Sequence, residues 1–171
     1  MEDLFNRLVG PGDWVLDVGC GTGYFTRAMA EAVTFAGPAM GVDPSREAIA
    51  RARRLTRVAN SAFSEGIAQA LDAPDGSYDV VVSSLVVHHL PDTLRPPALR
   101  EMVHVLRPGG QVLVADSRPP TSRIGRHLIG PFTSPLWRTT PSICSTGWFL
   151  RPASSRSAKA MCSRGSGTCG G

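Results

Sequence analysis

The residues best suited to chemistry form a glycine-rich turn at the end of a short apolar run. The sequence VLDVGCGTG, residues 15–23, places Asp17 at the end of a predicted buried strand, with three glycines at alternate positions after it. Glycines let the backbone turn sharply and let a ligand come close, because no Cβ stands in the way. In open α/β sheets, ligands bind outside the carboxyl ends of the strands. We therefore predict that this turn holds a small polar cofactor.

The spacing of the glycines argues against two common nucleotide sites. A dinucleotide fold needs G-x-G-x-x-G, but here the third glycine comes one residue early, at Gly23, and Tyr24 stands where glycine would be. A phosphate loop, G-x-x-x-x-G-K-[ST], is absent from the sequence. Asp43 ends a second apolar run, where an acid can accept hydrogen bonds from a ribose. The alternative is that Asp43 caps the helix that begins after Pro44.

Strands and helices alternate over the first two thirds of the chain. Apolar runs predict five strands, at 14–18, 39–43, 62–65, 78–84 and 111–116. Helices are predicted from Thr22, from Ser45, which serves as N-cap, and from Pro91. Apolar residues at helical spacing predict the inner faces of the last two: Ile49, Ala52 and either Leu55 or Thr56, then Leu99, Met102, Val103 and Leu106. This alternation predicts an α/β fold with a doubly wound parallel sheet.

Charge and composition divide the chain in two. Residues 1–116 carry 14 acidic and 10 basic side chains, whereas residues 117–171 carry 8 basic side chains and no acid. We predict a folded domain at 1–131 and a basic, low-complexity, poorly ordered tail at 132–171. The tail's arginines and aromatic residues could contact RNA, but an extension without function is the favoured interpretation. The dominance of arginine over lysine also raises the hypothesis of a frameshift near residues 132–137.

The totals exclude several classes of protein. No apolar run is long enough to span a membrane, and residues 1–8 have no export signal, so the cytoplasm is the expected compartment. No metal site is predicted, because Cys144, Cys162 and Cys169 match no zinc spacing. Cys20 is interpreted as a small residue tolerated in a tight turn, with a nucleophilic role as the alternative.

Several motifs in the same order resemble one family. Residues 15–23 resemble motif I of the class I S-adenosylmethionine-dependent methyltransferases, and residues 41–43 resemble their second acidic motif. Residues 66–90 are similar to the small-molecule branch, which includes the ubiquinone and menaquinone methyltransferases, and residues 106–113 resemble the start of the fifth strand. The likeness implies a Rossmann-like fold whose seven strands end in an antiparallel hairpin. Only about five strands are recognisable here, so we expect an incomplete sheet.

The resemblance implies a role for each residue of the cofactor site. Asp17 would contact the methionine ammonium, the turn would pack along the methionine, and Asp43 would hold the ribose. Ile67 and Ala68 would border the adenine, although many relatives have an acid at the position of Ile67. The implied cofactor-binding residues are Asp17, Gly19, Cys20, Gly21, Thr22, Gly23, Asp43, Pro44, Ile67, Ala68, Ser84 and Leu85. The last two would face the sulfonium.

The implied reaction is in-line attack by a small-molecule or lipid-like acceptor on the sulfonium methyl, without a metal. His88 and His89 are weak candidates for a general base; alternatively, one packs in the core or beside the cofactor and the other caps a helix. His104 is interpreted as structural. A nucleic-acid substrate is not expected, because residues 83–86 read SSLV where Asn/Asp-Pro-Pro-aromatic would be needed. The second hypothesis is a truncated, inactive remnant that at most binds the cofactor.

Overall fold

The computed structural model describes residues 8–33, 37–116, 148–151 and 159–162. Its strands are β1 (Val15–Val18), β2 (Ala39–Asp43), β3 (Ser61–Glu65), β4 (Tyr78–Ser84), β5 (Leu106–Ala115), β6 (Trp148–Arg151) and β7 (Lys159–Cys162). Its helices are α1 (Tyr24–Ala32), α2 (Arg46–Leu55) and α3 (Arg95–His104), and a 3-10 turn covers Val87–His89. None of these helices is long and apolar enough to cross a membrane.

The strands form one sheet in the order β3-β2-β1-β4-β5-β6-β7. The first five are parallel, which confirms the predicted parallel core of the fold. Strand order reverses between β1 and β4, since the chain runs outward to β2 and β3 and then returns to the other side of β1. The carboxyl ends of neighbouring strands therefore flank a crevice at this switch point, where ligands of open α/β sheets bind.

Both faces of the sheet are buried, which explains the continuous apolar run in β4. On one face, Val80 and Val82 pack with Met29 of α1. On the other face, Val81 packs with Met102 of α3. Because side chains alternate along a strand, Ser84 shares the face of Val82. Asp17 pairs with Val82 across β1 and β4, so Asp17 and Ser84 lie on the same face of the sheet.

Most of the predicted elements are confirmed, with shifts at their ends. β2 and β4 have the predicted bounds, and Ser45 caps α2 by accepting a hydrogen bond from the Ala48 amide at 3.1 Å. α1 begins at Tyr24 rather than at Thr22. β5 begins at Leu106, before the predicted start, because Leu106 pairs with Tyr78 and a bulge then skips to the pair Val80–Gln111.

One predicted inner-face position is wrong and another is resolved between its two alternatives. At the end of α2, Leu55 is 50% exposed, whereas Thr56, the C-cap, is half-buried. Val103 is 39% exposed, because Ala98 and Met102 form the buried stripe of α3.

The predicted number of strands is also too low. β6 pairs antiparallel with β5, and β7 pairs antiparallel with β6, so a hairpin extends the sheet beyond the five recognised strands. Both strands have four residues and lie in the segment for which the sequence predicts no element. Neither strand contains Val, Ile or Thr, and neither alternates apolar with polar residues, so the sequence does not reveal them. The rest of the tail lies outside the described residues.

Candidate functional site

The glycine turn after β1 is built from three left-handed residues. Gly19, Gly21 and Gly23 have φ angles of 79°, 53° and 78°. A Cβ on Gly19 would lie 2.1 Å from Cγ2 of Val86, and one on Gly23 would lie 2.6 Å from Cε1 of Phe63. A Cβ on Gly21 would meet nothing within 4 Å. The outer glycines are therefore required by packing and by φ, whereas the central one faces open space that a ligand can enter.

Asp17 is a buried acid at the end of β1. Its side chain accepts a 2.7 Å hydrogen bond from the hydroxyl of Thr26 on α1, and the residue is 1% exposed. Burial raises the pKa of Asp17 to about 6, and the nearby charge of Asp43 adds to this, while the hydrogen bonds from Thr26 oppose it. Because Thr26 is neutral, it leaves the charge of the carboxylate uncompensated. A cationic ligand group next to Asp17 would compensate that charge.

Asp43 joins the turn to the start of α2. Its Oδ2 accepts a hydrogen bond from the Gly21 amide at 2.9 Å, and its Oδ1 accepts one from the Ser45 amide at 2.9 Å. The role as a helix N-cap falls to Ser45 itself. Each carboxylate oxygen can accept a second hydrogen bond, so these contacts leave Asp43 able to accept from a ligand as well.

Cys20 lies beside these acids with its side chain buried. Burial raises the pKa of the Cys20 thiol to about 12, and the charges of Asp17 and Asp43 act in the same direction. A thiol in this state is protonated at neutral pH and is a poor nucleophile. The structure therefore favours the interpretation of Cys20 as a small residue in a tight turn.

The remaining cofactor positions lie along the same edge of the sheet. Ile67, just after β3, is 47% exposed, whereas Ala68 is 8% exposed and belongs to the core. Thr22 and Pro44 are exposed beside the turn and at the start of α2. The structure thus bonds Asp43 directly to the turn, bonds Asp17 to the helix that follows the turn, and places the others at neighbouring strand ends. Of the two residues assigned to the adenine, Ile67 alone presents a largely exposed side chain.

The end of β4 carries two features that are costly to maintain. The hydroxyl of Ser84 is buried and has no hydrogen-bond partner among the described residues. Leu85 has a φ of 59°, in the left-handed region that favours glycine, and its amide donates to the carbonyl of Ala115 at 2.7 Å. Both features lie at the switch point, opposite the glycine turn.

His88 forms a close pair with Asp116, which follows β5. Its amide donates to Oδ2 of Asp116 at 2.7 Å, and its Nδ1 is in hydrogen-bond contact with Oδ1. The ring of His89 lies 3.9 Å from that of His88, centroid to centroid. Burial lowers the pKa of His89, and the charge of His88 adds to this. His88 thus contacts a carboxylate at the end of β5.

Asp116 is a candidate site residue that the sequence analysis missed, because the sequence identifies it only as the end of the fifth strand. One signal was available, since Asp17, Asp43 and Asp116 each stand at or directly after the end of a parallel strand. His104, in contrast, lies at the end of α3 and pairs with exposed Asp75 at 2.7 Å. Within the described ranges, no group of three or more His, Cys, Asp or Glu side chains could hold a metal ion.

A parallel sheet with a glycine turn and two acids at its switch point defines a cofactor-binding α/β domain. The family model described as "Methyltransferase domain" matches residues 15–110. The chain belongs to this family.

Two of the relatives that the chain matches are bacterial methyltransferases. The chain is 33% identical to a demethylmenaquinone methyltransferase of Shouchella clausii over 123 residues, covering 70% of this chain and 52% of the relative. It is 40% identical over 107 residues to the 2-methyl-6-phytyl-1,4-hydroquinone methyltransferase of Synechocystis, covering 62% of this chain and 32% of the relative. The chain thus spans about half or less of these relatives.

Solved structures show the same fold. An S-adenosylmethionine-dependent methyltransferase from Mesorhizobium loti superposes with a TM-score of 0.59 at 30% identity, covering 69% of this chain and 52% of that one. A SAM-dependent methyltransferase from Aquifex aeolicus superposes with a TM-score of 0.65 at 20% identity, covering 71% and 66%. The second likeness concerns the fold alone.

Substitutions in the glycine turn should separate the cost of a packing clash from the cost of a positive φ angle. We expect Gly19→Ala to lower the free energy of unfolding by about 1–3 kcal/mol more than Gly21→Ala, because only the former drives a Cβ into Val86. Both glycines have a positive φ, so Gly21→Ala is the matched control. Urea unfolding measures the difference. Equal losses would show that strain in φ alone sets the cost.

The buried acid should make stability depend on pH. A carboxyl whose folded pKa is raised favours folding at low pH, and this contribution is lost as the pH rises through about 6. We therefore expect Asp17→Asn to become more stable relative to wild type by about 2–3 kcal/mol between pH 4 and pH 7. Urea unfolding of both chains across this range measures the change. Parallel pH profiles would contradict the raised pKa.

Proposed function

We propose that the chain binds S-adenosylmethionine and transfers its methyl group to a small-molecule or lipid-like acceptor. The observation that carries this proposal is the buried Asp17 carboxylate beside an open glycine turn at the switch point of the sheet. A ligand with a free ammonium group would compensate the charge of Asp17. Family membership supports the same conclusion.

The residues of the switch point fit this cofactor in order. Asp17 would hold the ammonium, the turn from Gly19 to Gly23 would lie along the methionine, and Asp43 would accept from the ribose. Pro44, Ile67 and Ala68 would border the adenine side, and Ser84 and Leu85 would face the sulfonium. When bound, the cofactor supplies an electrophilic methyl carbon. The protein's part is to orient the acceptor in line with it, which is worth ~7–11 kcal/mol in well-oriented reactions.

His88 is proposed as the base that removes a proton from the acceptor. The contact between Nδ1 and the carboxylate of Asp116 favours the tautomer with its proton on Nδ1, in which Nε2 is the ring nitrogen that carries the basic lone pair. The carboxylate also stabilises the imidazolium that forms. A phenolic or hydroquinone hydroxyl suits such a base, and two relatives are named for quinone-type substrates. A quinol is therefore the proposed acceptor class.

Calorimetry with S-adenosylmethionine and with its demethylated product tests the cofactor site. We expect the full chain to bind both, and Asp17→Asn to weaken binding of S-adenosylmethionine by about 10- to 100-fold, because a charged hydrogen bond is lost. Asp75→Asn is the control, since Asp75 is an exposed acid in a surface pair with His104. Failure of the wild-type chain to bind either compound would refute the proposal.

Product formation with a panel of quinols, phenols and amines tests the reaction. We expect His88→Asn to lower kcat by about 100-fold or more and to leave cofactor binding intact, because the base is lost but the cofactor site is not. The rise of activity with pH that a histidine base imposes should disappear as well. His104→Asn is the matched control, as a histidine in an exposed pair. Cofactor binding without turnover of any acceptor would favour the alternative of an inactive remnant.

A further inference from the structure

Leu85 holds a backbone conformation that a leucine adopts at a cost. Its φ of 59° makes it the one non-glycine residue with positive φ in the described part of the chain. In the left-handed region the Cβ of an L-residue approaches the following carbonyl oxygen, and glycine or asparagine is accommodated with less strain. The 2.7 Å hydrogen bond from its amide to Ala115 ties this conformation to the end of β5.

Burial of the side chain does not offset this strain. Leu85 is 49% exposed, while Ser84 directly before it is 9% exposed and Val87, two residues after it, is 4% exposed. A large apolar side chain thus projects outward at the carboxyl edge of the sheet. Strained residues of this kind persist mostly where the conformation serves a site, such as a clamp on a ligand.

The loop that carries Leu85 also carries the proposed base. Leu85 bonds to Ala115, and His88 bonds to the next residue, Asp116, so both contacts fasten residues 85–88 to the end of β5. The acids that fit the polar cofactor lie on the other side of the switch point, at the ends of β1 and β2. Leu85 therefore stands between the end of β4 and the pair of His88 and Asp116, three residues from the proposed base that an acceptor must reach.

We propose that the side chain of Leu85 packs against the apolar body of the acceptor and selects for acceptors that carry a hydrocarbon chain or ring there. This inference rests on the proposed methyl transfer. The family resemblance places Leu85 at the sulfonium end of the site. The proposal keeps the backbone at that end and adds that the side chain faces the incoming acceptor. The strain is then offset in the complex by contact with the acceptor.

Leu85→Asn and Leu85→Gly test the proposal, because both residues relax the left-handed backbone. We expect the melting temperature of each variant to stay level or to rise by about 2–4 °C. The KM for a prenylated naphthohydroquinone should rise roughly tenfold, as expected for losing the contact of a leucine side chain. The KM for the same ring without its chain should rise less. Because Leu85 also lies at the sulfonium end, a change in the affinity for S-adenosylmethionine would affect both acceptors alike, and the ratio of their KM values isolates the contact with the acceptor.

Leu55→Asn is the matched control, since Leu55 is an equally exposed leucine at the end of α2, and its ratio of the two KM values should equal that of wild type. An unchanged ratio in both Leu85 variants would overturn the inference while leaving the methyl transfer intact. A marked fall in melting temperature would overturn it too, because Leu85 would then serve the folded chain itself. A wild-type chain that methylates neither acceptor would refute the proposed function and the inference with it.

Discussion

The burial of the Asp17 carboxylate is the constraint on which the rest of the site depends. A buried charge is costly unless it is hydrogen-bonded or paired, and Thr26 supplies only a neutral partner. The Thr26 hydroxyl comes from α1, so the first helix after the turn is held against the end of β1. The left-handed glycines make this return possible within a few residues. The turn, the helix and the acid thus form one unit. The uncompensated negative charge of Asp17 in this unit faces the crevice.

Parallel topology places the other functional groups around that unit. Asp43 and Asp116 follow the same rule as Asp17, since each stands where a parallel strand ends. Their partners give them different tasks. Asp43 is bonded to the amides of Gly21 and Ser45 beside the glycine turn, whereas Asp116 is bonded to His88. One sheet edge therefore carries acids with different partners on either side of the switch point, and the proposed roles in cofactor binding and proton transfer rest on that difference.

Local pattern was enough to predict the five parallel strands and the glycine turn at the end of the first one. β2 and β4 are short apolar runs that end in polar residues, and the glycines and Asp17 are close together in the chain. The pair of His88 and Asp116 joins residues 28 apart, and no short-range pattern reports such a contact. The bulge in β5 and the strands β6 and β7 were missed for a related reason. Their pairing is decided by neighbouring strands rather than by their own sequence.

The end of β4 carries features that lower local stability. Ser84 has a buried hydroxyl without a partner in the described residues, and Leu85 combines a left-handed backbone with an exposed apolar side chain. Elsewhere on the same strand, Val80, Val81 and Val82 are buried almost completely. The costs begin where β4 reaches the crevice, between the glycine turn and the histidine pair. β4 packs closely along its length and is strained only where it reaches the crevice. We infer that a ligand in the crevice requires this strained end.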